Sequence, residues 1–257
     1  MRKRFLAVRI LVLTLSGLAG LPINSPVATR ELDARTRKTS APLADDCGPS
    51  TNQIVALQLH SSLETPTFPG NDDWNKAQPV VFCRDWKGEQ TDPQRRTEVR
   101  VLWSNQFLYL RFEAHYRDIY LYPETNQRRE KLWLRDVAEV FLQPNGNQGQ
   151  HYKEFDVSPN GNWIDLDISP LGGTELLCDM KTKAVIGSEK HIWTTELIIP
   201  MKCLTQNFDR NAGWRLNFFR IEGNNPHRFY SAWRPTNTEH PNFHVPEVFG
   251  TLKFSYD

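Results

Sequence analysis

From Gln53 onward the apolar residues recur with period two far more often than with period 3.6. Such alternation is what a strand with one face turned to a core requires. Val99, Val101 and Trp103 alternate with Glu98, Arg100 and Leu102; Asn105-Gln106 turns the chain; Leu108, Leu110, Phe112 and Ala114 then alternate with Phe107, Tyr109, Arg111 and Glu113. This pattern predicts a hairpin with one core face. Residues 137–142 put Ala138, Val140 and Leu142 on one face and Glu139 on the other. Phe155 and Val157 lead into the turn signal Ser158-Pro159-Asn160-Gly161, after which Ile164, Leu166 and Ile168 resume the alternation. Further strands are predicted at 193–199, 215–221, 230–233 and 251–256. Short strands broken by Gly, Pro and Asn turns, with no amphipathic helix longer than about three turns, specify an all-β chain folded as a single-domain antiparallel β-sandwich.

The first 28 residues read differently. Arg2, Lys3, Arg4 and Arg9 form a basic start, and the apolar run 10–21 is closed by Pro22. This is the pattern of a secretory signal peptide, with cleavage after Ala19 or Ala28. The run of 12 residues is too short for a bilayer-spanning helix, which needs about 20. Cleavage at Ala28 leaves 257 − 28 = 229 residues and takes the formal charge from +1 to +1 − 4 = −3. The expected location is therefore secreted or periplasmic, with no membrane span in the mature chain. Residues 29–52 mix charge, Ser, Thr and Pro without periodicity, as an N-terminal arm or tether does, and 53–257 form the folded domain.

With 31 Lys plus Arg against 30 Asp plus Glu, the chain has no field that would gather nucleic acid. Cys47, Cys83, Cys178 and Cys203 are an even set, which in an exported chain favours disulfides in any of three connectivities. No pair has C-x-x-C spacing, which argues against a thioredoxin-like dithiol or a four-Cys zinc knuckle.

Neither a G-x-S-x-G elbow, a Gly-rich phosphate loop nor H-E-x-x-H is present. His240 and His244 have i, i+4 spacing, but Pro241 between them argues against a helical ligand pair. Asp165 and Asp167 lie two apart on a predicted strand and face the same way, about 7 Å apart at the backbone. Three roles fit such a pair: glycosidase carboxylates, calcium ligands or a solvated strand face.

Asp72-Asp73-Trp74-Asn75-Lys76-Ala77 begins a series of motifs that continues with EVRVLWSNQFLYL (98–110), LWLRDVAEVFL (132–142), YKEFDVSPNGNW (152–163), TTELIIP (194–200), WRLNFFRIEG (214–223) and FHVPEVFGTLKF (243–254). In this order, over about 69–254, the chain resembles the family 9 carbohydrate-binding modules and their DOMON-like relatives. The resemblance implies a jelly-roll-like sandwich that grips mono-, oligo- or polysaccharides between two aromatic side chains, with structural calcium in some members and no catalysis of its own. Trp133 stands where the family places one aromatic wall and Phe243 where it places the other. Glu139 matches the acidic residue that accepts from sugar hydroxyls. The family's basic contact on the following strand is matched here by Asp156, which cannot donate in its place when ionised; Arg135 and Lys153 are nearby substitutes.

A pyranose offers apolar C–H faces and a fringe of hydroxyls, so it demands flat aromatic surfaces and polar groups at the rim. Trp133, in the charged stretch after Arg128-Arg129-Glu130-Lys131, fits that demand, and Asn242 and His244 flank Phe243 with suitable donors and acceptors. Trp74, Trp103, Trp163, Trp193, Trp214 and Trp233 are expected in the core or on sheet surfaces. Two further readings are a heme-binding DOMON-like electron-transfer domain, for which Met180, Met201 and seven His are available axial ligands, and a glycoside hydrolase using Asp165 and Asp167.

Overall fold

The computed structural model describes residues 47–48, 51–59, 66–144, 146 and 149–256. The predicted signal peptide and nearly all of the predicted arm lie outside the described residues.

Thirteen strands form the frame: β1 Gln53–Gln58, β2 Val80–Phe82, β3 Thr97–Trp103, β4 Phe107–His115, β5 Val137–Gln143, β6 Tyr152–Val157, β7 Trp163–Ser169, β8 Gly172–Glu175, β9 Lys181–Gly187, β10 Ile192–Pro200, β11 Arg215–Glu222, β12 Phe229–Ala232 and β13 Gly250–Ser255. Among the described residues helices are limited to α1 Asn71–Lys76, α2 Met201–Leu204 and three short 3-10 turns. Among the described residues no helix is long and apolar enough to cross a membrane. The strands join in the order β8-β7-β6-β5-β11-β13-β1-β3-β4-β10-β9, with β12 beside β11 and β2 beside β3.

One curled sheet therefore supplies both layers of the sandwich. The expectation of a purely antiparallel sheet needs one correction: β1 runs parallel to both β13 and β3. The first strand is inserted between the last strand and β3, and chain order rather than local sequence sets that direction.

The predicted alternation is visible in the packing. Val99, Val101 and Trp103 of β3, Leu108, Leu110, Phe112 and Ala114 of β4, and Ala138, Val140 and Leu142 of β5 all enter the main core. At roughly 25 cal/mol per Å² of apolar area, such burial is the dominant favourable contribution to folding. The opposite faces are covered too, which the alternation alone does not foresee. Leu102, Tyr109 and Ile198 pack under Trp74 of α1, and Phe141, Tyr152, Phe219 and Ile221 pack under Phe243 and Phe249 of the C-terminal segment. Every residue of β5 is consequently buried.

The turn between β6 and β7 closes through Gly161 N–H to Ser158 O at 2.9 Å. Gly161 has φ +82°, and a Cβ there would meet Asn126 Oδ1 at 2.2 Å, so both backbone and space require glycine. Asn160 donates to the carbonyls of Tyr122 and Glu124, and Asn162 to that of Glu124, fastening the 120–127 loop to this turn.

Two disulfides, Cys47–Cys83 and Cys178–Cys203, settle the connectivity and leave no free thiol among the described residues.

Candidate functional site

Above the outward face of β5, β6, β7 and β11 lies a cavity of about 600 Å³, a size typical of small-ligand sites. Glu139 and Phe141 of β5, Glu154 of β6 and Ile164, Leu166 and Ile168 of β7 line it from the sheet. Trp133 and Leu134 line it from the loop before β5, Asn225 and Arg228 from the approach to β12, Tyr230 from β12 itself, and Pro241 to His244 from the C-terminal segment.

Register explains why these side chains converge. Glu139 is paired with Asp156 on β6 and with Phe219 on β11, while Phe141 is paired with Glu154. Opposite partners in a ladder share a face, and that face points away from the main core.

The Trp133 loop is held from two sides. Lys131, at φ 56°, turns the chain into the 3-10 turn Leu132–Leu134, whose Leu132 is buried. Asp136 then accepts from the backbone N–H of Tyr120 at 3.0 Å and of Gly223 at 2.6 Å. Burial outweighs these hydrogen bonds and raises the Asp136 carboxyl to about 6. Arg228 clamps the loop from the cavity side, donating to the carbonyls of Trp133 and Leu134. With its backbone pinned, Trp133 remains 38% exposed.

Phe243 is 7% exposed and lies stacked on Phe219. Asn242 Oδ1 accepts from the His244 backbone N–H at 3.1 Å. His244 stacks on Phe141 with centroids 5.2 Å apart, and its Nδ1 is hydrogen-bonded to the Tyr152 hydroxyl. Burial lowers the His244 pKa. Burial also raises the Tyr152 phenol.

Of the six residues singled out from sequence, Trp133, Glu139, Asn242, Phe243 and His244 line this one cavity and Arg135 does not. The Arg135 guanidinium lies over the rings of Tyr120 and Tyr122, at 4.2 and 4.5 Å, and donates to the Leu134 carbonyl. Lys153, the other nearby substitute, falls on the opposite face of β6 and pairs with Asp167 at 3.4 Å. The cation at the cavity is Arg228 instead. It sits in a loop without periodicity or motif, so sequence offers no signal for it.

Asp165 and Asp167 share the face opposite the cavity but not an environment. Asp165 is fully buried and accepts from the Cys178 N–H at 2.6 Å, whereas Asp167 is half-exposed. Met180 and Met201 are packed in the main core. No group of three or more His, Cys, Asp or Glu among the described residues is arranged to hold a metal ion. Trp74, Trp103, Trp193, Trp214 and Trp233 are buried and Trp163 is half-buried.

The acidic residues are the unusual part of this site. Glu139, Glu154 and Asp156 are 3%, 4% and 0% exposed and stand on one face of two adjacent strands. Burial and mutual repulsion raise Glu139 and Asp156 well above the usual carboxylate range. Burial pushes Glu154 up to about 8. Glu154 was legible in part: flanking the core residue Phe155, it has to share a face with Glu139.

Residues 70–256 match the family model described as carbohydrate family 9 binding domain-like. The chain belongs to that family.

An extracellular protein of Arthroderma benhamiae is 22% identical over 227 residues, covering 77% of this chain and all of the relative. Three solved structures share the fold of this chain, each at 16% sequence identity. A putative carbohydrate-binding protein of Bacteroides uniformis superimposes with TM-score 0.61 over 79% of this chain and 99% of its own. A family 9 carbohydrate-binding module of Caldicellulosiruptor kristjanssonii in complex with glucose gives 0.55 over 80% and 96%. Its complex with cellotriose gives 0.56 over 80% and 94%.

Proposed function

We propose that this family 9 member is an exported, non-catalytic carbohydrate-binding protein that holds a sugar in the cavity beside Trp133, in support of polysaccharide capture or catabolism. One observation carries the reading: Trp133 and Glu139, from either side of the start of β5, and Asn242, Phe243 and His244, about a hundred residues further on, line one cavity. Flat aromatic surface for C–H faces and rim groups for hydroxyls are the two things a pyranose requires. Export is supported by the two disulfides and by the relative named an extracellular protein.

Titrating the mature protein with mono- and oligosaccharides while following Trp fluorescence tests the reading. A saturable change for one sugar class, weakened about tenfold or more in Trp133→Ala with the fold intact, is expected. Absence of a response to any sugar removes the proposal.

A further inference from the structure

We propose that the preferred ligand is cationic, an amino sugar with a free primary ammonium group that Glu139 and Glu154 hold from the sheet with Asp156 behind them. This inference rests on reading the cavity as a sugar site and narrows its ligand class.

Two buried carboxyls on this face have no partner among the described residues but each other. Glu139 stands opposite Asp156 in the β5–β6 register, and Glu154 is two residues from Asp156 on the same face. Glu139 and Glu154 line the cavity. Glu154 Oε2 and both carboxyl oxygens of Asp156 are buried and receive no N–H or hydroxyl donor from the described residues; what they have is a proton shared between the two carboxyls. A buried acceptor left so is costly, and a buried unpaired charge more so.

The protein's own cations do not answer this need. Arg228, whose charge acts on Glu139, directs its two terminal nitrogens to the carbonyls of Trp133 and Leu134. His244 Nδ1 is 4.0 Å from Glu154 Oε2, beyond hydrogen-bond reach, and is engaged with Tyr152. Lys153 is on the other face.

An ammonium group fits what remains. It brings three donors and a positive charge on a compact head. The hydroxyls of a neutral sugar satisfy single lone pairs, whereas a cation also favours the ionised form of these acids and offsets the repulsion among them once they ionise. A divalent metal is the poorer fit, since calcium takes 6–8 oxygen ligands and these side chains are not arranged as a metal-holding group. Trp133, Phe141, Tyr230 and Phe243 complete the site with aromatic surface, suited to pyranose C–H faces and to a nearby cation.

Binding would move protons in one direction. The groups around Glu154 are Glu139 on β5, Asp156 and Tyr152 on β6, His244 on the C-terminal segment, and Glu130 and Arg228 at the rim. With Glu154 raised to about 8, its carboxyl is mostly protonated at about pH 6. An arriving ammonium favours the ionised form and expels a proton.

Calorimetric titration of the full mature chain at about pH 6, where alkylammonium groups are charged, with D-glucosamine, N-acetyl-D-glucosamine and D-glucose tests the proposal. Glucosamine is expected to bind about tenfold or more tightly than glucose. Its heat should change with the buffer's ionisation enthalpy, reporting proton release, while that of glucose should not. Glu154→Gln and Asp156→Asn should abolish the preference, each checked for folding by circular dichroism; the proton release of the unaltered protein is a readout independent of both. Glucose binding as tightly as glucosamine overturns the charge inference and leaves the sugar site standing. Failure of all three sugars overturns both. A glucosamine preference that appears only with added calcium and vanishes with a chelator also overturns it, because a metal would then be what the acids hold.

Discussion

Phe243 lies face to face on Phe219, with ring centroids 4.3 Å apart and planes 12° from parallel. One aromatic wall of the cavity is thus also part of the hydrophobic cluster over β5 and β11, whereas Trp133 projects from a clamped loop. Equivalent substitutions should therefore separate folding from binding. Phe243→Ala is expected to lower the free energy of unfolding by about 3–5 kcal/mol. Trp133→Ala is expected to leave stability within about 1 kcal/mol while weakening sugar binding. Urea unfolding and fluorescence titration of the two variants check this.

Arg228 holds Trp133 in place through backbone carbonyls and acts on Glu139 through its charge. Arg228→Ala should weaken sugar binding about tenfold at a stability cost of about 1 kcal/mol, the worth of an ordinary hydrogen bond. Arg228→Lys should restore charge but not the two-pronged clamp, recovering only part of the affinity. Affinities of the three proteins, with thermal melts as the folding control, decide it.

The buried acids give stability a definite pH dependence. The carboxyl of Glu154 has an ordinary value of 4.5 and is raised to about 8 in the fold, so the folded state binds more protons than the unfolded state between these values. The contribution of Glu154 to stability is then fully present below about 4.5 and is lost as pH rises toward about 8. Glu139, Asp156 and Asp136 are shifted in the same direction. Thermal midpoints of the ligand-free protein should decline across this window, and Glu154→Gln should flatten the decline. Asp156→Asn should likewise flatten the decline, since it removes one of the buried acids whose ionisation the fold opposes.

Cys178 and Cys203 are 25 residues apart in sequence and join the segment after β8 to α2. Replacing both by alanine should cost about 3–4 kcal/mol, as expected for a closed loop of this length. The cost should appear as a lower denaturant midpoint, and treatment of the native protein with a reductant should approach the same value. The Cys178 backbone also donates to Asp165, so the loss should be largest around β7 and β8 in hydrogen exchange.

Alternation is a property of the extended backbone itself, because successive side chains must point to opposite faces. For that reason β3, β4, β5, β6 and β7 were legible residue by residue, and so was the turn at Gly161, where left-handed backbone requires glycine. β9 was not: its burial alternates only between exposed and half-buried, as an edge strand with little apolar patterning does. The parallel setting of β1 was also beyond reach, because it depends on which strands flank it and not on its own residues.

The site divides in the same way. Trp133, Glu139 and Phe243 could be named from sequence through family motifs, and the two strand faces at Glu139 and Glu154 through local periodicity. Whether those acids meet water was decided only in three dimensions. Alternating charges such as Glu154 and Asp156 describe a solvated face wherever nothing covers it. Here Phe243 to Phe249 folds back over β5, β6 and β11, and Arg228 arrives from the loop before β12. Sequence determined the faces, since side-chain direction is local; tertiary structure decided what each face touches, since burial depends on segments about a hundred residues apart.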